Sequence, residues 1–312
     1  MISLMAISSG YDSLLAGPAV VRRTDRGIVR LRGADRITWL QGLVTNDIAA
    51  IQPGQRVYSA YLTPQGRMIT DMWVVAISDS LLLDIPASLS APLATRLDGL
   101  IFAEDVQIDD VSGELAVFQL FGSTPAEGIA TALVADDTYG IGSHAAYVSL
   151  AELPSFLASS SPAPAEVTLD TLDILRIEAG VPRFLVDMTD ETIPLEAGIE
   201  DRAVSFTKGC YVGQEIIVRV TTRGGGRVAR KLVGLVAPGT AAPLPVGSTL
   251  YAGDRAVGRI TSSVFSQRRG DVIALGYAHR DFAEPGTSLE IDANGERRPV
   301  IVHALPFVPN HT

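Results

Sequence analysis

The spacing of apolar residues changes about two thirds of the way along this 312-residue chain. Up to about residue 230, runs of period two alternate with runs near period 3.6, whereas 231–312 carries only short alternating runs. Gly27-Ile28-Val29-Arg30-Leu31 reads as a strand. Ile37, Leu40, Leu43, Val44 and Ile48 then share one helical face behind Asp35, a candidate cap. Val57–Leu62 and Met68–Ile77 flank Thr63-Pro64-Gln65-Gly66, the pattern of a hairpin, and Leu81–Ile85 predicts a further strand. Leu89–Leu100 predicts a helix, with Pro92 early in it. Thr124-Pro125-Ala126-Glu127 has the spacing of a helix-starting capping box.

Ser159-Ser160-Ser161-Pro162-Ala163-Pro164 has the composition of a linker. After it, Leu169, Leu172, Leu175 and Ala179 form a helical stripe that stops at Gly180 before Pro182, which puts Arg176 and Glu178 in the last turn. The repeated order of strand, helix and strand pair predicts an α+β body of split β-α-β lobes over 1–230. Residues 231–312 predict a C-terminal antiparallel β-barrel, from short runs at Lys231–Val236, Thr249–Ala252, Val257–Val264, Val272–Tyr277, Ser288–Ile291 and Pro299–Ala304.

A hydrophobic content of 47% with 19% charged residues describes a folded chain and excludes a disordered one. The formal charge of −10 gives no strong nucleic-acid footprint. That charge is uneven. No acidic residue falls between Glu215 and Asp254, while Arg219, Arg223, Arg227, Arg230 and Lys231 crowd the first part of that stretch, a strip suited to a small anion or an acidic partner. No apolar run approaches 18 residues, so no membrane partner is expected. The opening Met1–Ile7 lacks the basic region of a signal peptide, which makes a cytoplasmic location the expectation.

Cys210 is the single cysteine, and it lies in the densest run of functional residue types, Lys208-Gly209-Cys210-Tyr211-Val212-Gly213-Gln214-Glu215. A lone thiol closes no intramolecular disulfide. It serves as a nucleophile, a ligand contact or buried filler. Lys208 favours the thiolate where its ammonium lies close, and Gly209 and Gly213 permit sharp turns and close approach. Two other clusters carry polar groups: Leu40–Asp47, with Gln41 and Asn46, and the hairpin flank with Arg67 and Asp71. Their plain readings are a helix end and an exposed ion pair. His144, His279, His303 and His311 have no metal-ligand spacing, and one thiolate is too few for a self-contained iron–sulfur cluster. Gly140-Ile141-Gly142-Ser143-His144-Ala145 lacks the β-α-β setting of a dinucleotide fingerprint, and Gly224-Gly225-Gly226 reads as a hairpin tip.

Together the Lys208–Glu215 run, the Leu40–Asp47 and Leu62–Asp71 segments, Leu175–Gly180 and the tail pieces Val257–Ser262, Ile273–Tyr277 and Leu305–Val308 resemble the folate-binding YgfZ family. That family is a branch of the glycine-cleavage T-protein superfamily that includes mitochondrial iron–sulfur assembly factors. The resemblance implies a ring of ferredoxin-like lobes, roughly 1–55 with 165–230 and 56–164, plus the barrel, around a channel that binds tetrahydrofolate. It implies Glu178 near the pterin and Cys210 and Lys208 as the chemical pair. Gln41, Asn46, Arg67, Asp71, Tyr211, Gly213, Gln214, Glu215 and Arg219 are then candidate folate contacts. The expected function is a folate-binding accessory protein for iron–sulfur cluster assembly or repair, with client enzymes or assembly proteins as partners and a link to tRNA modification. The alternatives are a folate-dependent aminomethyltransferase or demethylase, and a non-catalytic scaffold.

Overall fold

In the computed structural model, which describes residues 4–222, 227–240, 242–293 and 295–309, alternation of apolar side chains resolves into two five-stranded sheets and a closed six-stranded barrel. Arg223 and Gly224-Gly225-Gly226 lie outside the described residues. The chain forms two units, one made of 1–137, 142–172 and 202–214, the other of 138–141, 173–201 and 215–312.

The first unit holds both open sheets. One orders its strands Arg56–Leu62, Met68–Ala76, Leu81–Pro86, Arg26–Arg32 and Gln107–Asp110; every pairing in it is antiparallel. The other runs Ala165–Val167, Ala19–Arg22, Leu115–Phe121, Ser143–Ser149 and Ala132–Asp136, with its first pair parallel. The first 55 residues are thus divided between the two sheets. Strand Leu81–Pro86 shows why period two suits a doubly covered sheet. Leu81, Leu83 and Ile85 enter a core with Leu40, Val44 and Leu97, while Leu82 enters a second core with Val117 and Tyr147 of the facing sheet. Asp84 shares that second side and is buried, so its charge needs partners. Arg26 Nε donates to it at 2.5 Å and the Tyr147 hydroxyl at 2.7 Å.

Three expectations fail for identifiable reasons. The helix expected through Ile48 spans only Arg36–Gln41, and Asp35 makes no side-chain cap; its carboxylate instead accepts from the Asp105 N–H. No helix follows Thr124, whose backbone exchanges hydrogen bonds with Ser161. That exchange also fastens the stretch expected to be a linker. The helix ahead of Gly180 forms as expected, over Leu169–Glu178, and no described helix is long and apolar enough to cross a membrane.

In the second unit the barrel closes in the order Arg230–Ala237, Asp271–His279, Arg255–Ser266, Thr249–Ala252, Ser288–Ala293 and Glu296–His303, around Leu235, Leu250, Ile260, Ala274, Ile291 and Val300. Gly258 sits where strands cross tightly: a Cβ there would lie 2.0 Å from the Tyr277 carbonyl oxygen. Gly258→Ala is therefore expected to cost about 3 kcal/mol, read as a lower denaturation midpoint; an unchanged midpoint would contradict this packing.

Candidate functional site

The 202–213 segment of the first unit is built onto the 41–46 turn by polar contacts from both sides. The Lys208 ammonium donates to the carbonyls of Gln41, Val44 and Asn46 at 2.6, 2.8 and 2.9 Å. The ammonium thus supplies donors to carbonyls at and beyond the end of the helix Arg36–Gln41, where intrahelical N–H partners run out. Burial pushes the Lys208 pKa down to about 8, opposed by the Asp47 charge, so the group is still mostly an ammonium at neutral pH with three hydrogens to donate. Buried Thr45 donates to the Ala203 carbonyl and accepts from the Ala60 N–H, and its own carbonyl accepts from Ser205.

The amides predicted to contact a ligand serve this turn. Gln41 donates to Asp47 and accepts from the Ile48 N–H; Asn46 donates to the Tyr58 and Arg202 carbonyls and accepts from the Asp47 N–H. The Lys208 N–H groups likewise go to carbonyls of this turn. Its nearest aromatic partner is the buried ring of Tyr211, 5.4 Å from the ammonium; burial raises the Tyr211 pKa to about 12.

Gly213 joins the same segment to the hairpin turn. It has φ +85°, and a Cβ there would lie 2.6 Å from the Thr63 carbonyl oxygen and 3.3 Å from the Gly66 Cα. Held at Lys208 and Gly213, the chain between them carries Cys210 exposed to solvent, which rules out buried filler. Gly209 is exposed beside it with open space around its Cα, and Phe206 is 52% exposed. Gln214 opens the helix Gln214–Thr222, on which Glu215 and Arg219 are exposed.

Arg67 and Asp71 do not form the expected exposed pair. Arg67 is at the surface, whereas Asp71 is buried. The Tyr58 hydroxyl donates to Asp71 Oδ2 at 2.8 Å, and Oδ1 is buried with no hydrogen-bond partner among the described residues. Burial raises the Asp71 pKa, against the opposing charge of Arg26. Tyr58 packs on Trp73 with centroids 5.0 Å apart; Arg56 lies 3.7 Å over Trp73 and Arg202 5.3 Å over Tyr58. Sequence reasoning missed Tyr58, Trp73, Arg26 and Arg202. The available signal was Asp71, the one charged position in the strand Met68–Ala76.

In the second unit, both Glu178 oxygens are engaged. Oε1 accepts from Ser266 at 2.5 Å and Oε2 from Arg268 at 2.5 and 2.9 Å. These bonds fasten the end of the Leu169–Glu178 helix to the barrel. Arg230 of the basic strip pairs with Glu196.

Comparison with known proteins places these elements in a recognisable order. The GCVT N-terminal domain matches residues 22–151, and the glycine cleavage T-protein C-terminal barrel domain matches 230–309. An aminomethyltransferase of Rippkaea orientalis is 28% identical over 90% of this chain and 84% of its own. A putative chloroplastic transferase of Arabidopsis thaliana is 27% identical over 95% and 73%. A mitochondrial iron–sulfur cluster assembly factor homologue of Mycosarcoma maydis is 31% identical over 74% of this chain and 60% of its own. The fold matches that of the glycine cleavage system aminomethyltransferase T from Bartonella henselae, with a TM-score of 0.84 at 19% identity, over 97% of this chain and 90% of that one.

Lys208→Met keeps much of the aliphatic stem and strands three carbonyls, so it is expected to lower stability by about 3 kcal/mol, measured by urea denaturation. Loss of well under about 1 kcal/mol would mean that the turn does not depend on the ammonium.

Proposed function

Since the chain belongs to the glycine-cleavage T-protein superfamily, we propose that it is a tetrahydrofolate-binding accessory protein for iron–sulfur cluster assembly or repair, with Cys210 as its reactive group. The observation that carries this reading is the exposed thiol on a segment braced at Lys208 and Gly213. A braced backbone holds the sulfur in one place without covering it. Exposed Phe206 adds an apolar contact for a protein partner, and Arg219 adds positive charge for an acidic one. One thiolate supplies one ligand, so a cluster handled here is cargo completed by thiols from the partner.

The folate expectation fits a separate feature of the same unit. A pterin offers N–H donors on a flat ring, and Asp71 Oδ1 is a buried acceptor without a donor, next to the rings of Tyr58 and Trp73. Tetrahydrofolate, when bound, supplies one-carbon carrier chemistry. Asp71 and Tyr58 would orient it, and Tyr58, by donating to Oδ2, fixes which carboxylate oxygen faces the ligand.

Titration calorimetry with tetrahydrofolate is expected to show saturable binding that Asp71→Asn weakens about tenfold or more, the loss expected for one hydrogen bond to a charged group. Because burial raises the Asp71 pKa, the acceptor is lost as pH falls at a higher pH than for an ordinary carboxylate. Affinity should drop there in the unsubstituted chain and stay flat in the Asn variant. An identical pH profile in both would remove Asp71 from the site.

Cys210→Ser is expected to leave folate affinity and the denaturation midpoint unchanged while abolishing support of iron–sulfur enzymes in cells that lack the protein. Full support by that variant would overturn the role of the thiol. The second reading, aminomethyltransferase, is favoured by the activity for which the Rippkaea orientalis relative is named. Folate-dependent methylene transfer from an aminomethyl donor, at the same rate in Cys210→Ser, would establish it in place of the accessory role.

A further inference from the structure

A cavity of about 430 Å³ lies on the other sheet of the first unit, and none of the site residues described above lines it. Its floor follows from register. Strand Ala19–Arg22 places Val20 opposite Glu166 on one side and Leu120 on the other, and places Arg22 opposite Phe118. Residues two apart on a strand share a face, so Val20, Arg22, Phe118 and Glu166 point to the same side of the sheet. Helix Leu153–Ser159 packs on that side through Phe156, whose ring centroid is 5.1 Å from that of Phe118, and Leu157 lines the cavity. Asp170, at the start of the next helix, lies on its rim.

Arg22 and Glu166 carry opposite charges on one face of neighbouring rows, yet they form no ion pair with each other, and neither makes one with any other described residue. Asp170 is also without an ion-pair partner among the described residues. All three side chains are exposed, while Val20 and Phe118 beneath them are buried. The cavity therefore combines an apolar floor with one unpaired cation and two unpaired carboxylates, in a volume typical of small-molecule sites.

The geometry points to a binding site for a small zwitterion with an apolar body, of the class of the free apolar α-amino acids. The ligand's carboxylate would meet the Arg22 guanidinium, which offers paired donors matched to it. Its ammonium would meet Glu166 and Asp170, and its side chain would cover Val20, Phe118 and Leu157. A ligand that carries only an anion would face two carboxylates, and one that carries only a cation would leave Arg22 unmatched; charge complementarity thus selects the zwitterion.

The test is calorimetric titration of the full-length chain with leucine and with phenylalanine, beside their N-acetyl and carboxamide derivatives. The free amino acids are expected to bind saturably. Each derivative, Arg22→Gln and Glu166→Gln should weaken binding at least tenfold, and Leu157→Trp, which fills the cavity, should abolish it. Far-UV circular dichroism and the denaturation midpoint identify which variants are folded. Absence of saturable binding by either amino acid would overturn the proposal. So would a carboxamide or N-acetyl derivative that binds as tightly as the free amino acid, or binding that survives both Arg22→Gln and Leu157→Trp in folded protein.

Discussion

One ammonium fixes the geometry on which the first unit's site depends. Lys208 gathers the carbonyls of Gln41, Val44 and Asn46, and this anchors the turn that follows the helix Arg36–Gln41. Taking a cation from water is costly, and the carbonyl bonds offset much of that cost. The consequence is a chain of dependence. The turn positions Thr45 and Asn46, these tie down residues 202–205, and Gly213 closes the far end against the hairpin turn. Cys210 is carried between two fixed points, so its exposure follows from how its neighbours are held.

The same unit treats its buried charges unequally, and the difference separates structure from function. Asp84 has a donor on each carboxylate oxygen: Arg26 comes from the neighbouring strand of the same sheet, and Tyr147 reaches it from the facing sheet. Asp71 has a donor on one oxygen only. A buried acceptor left without a donor costs about 1–3 kcal/mol, a cost that ligand binding can offset. In the proposed folate site, a pterin donor would pair with this oxygen and offset that cost.

Much of the fold was legible because it rests on periodicity. The six barrel strands, the hairpin around Pro64 and Gly66, and the helix that stops at Gly180 all follow from spacing and turn chemistry. The failures share a cause: each depends on a partner distant in sequence. Nothing in Leu43, Val44 and Ile48 announces that a lysine more than 160 positions away holds the turn they enter. Thr124 has the local pattern of a cap, and Ser161 takes its backbone instead. At the site, the Lys208–Glu215 run was visible as a density of residue types, but not which of them face solvent. That Gln41 and Asn46 hold the 41–46 turn was not legible, because side-chain amides suit both ligands and loops. Asp71 read as half of a surface pair because its partners Tyr58 and Arg26 come from other strands.

The central claim is that the fold holds the sulfur of Cys210 open to solvent while the backbone on either side of it stays fixed. Reaction of the native, full-length chain with a chromogenic disulfide tests it most directly. The account predicts that one equivalent of thiol reacts without denaturant, at a rate close to that of the unfolded chain. A thiol that reacts only after unfolding would contradict it.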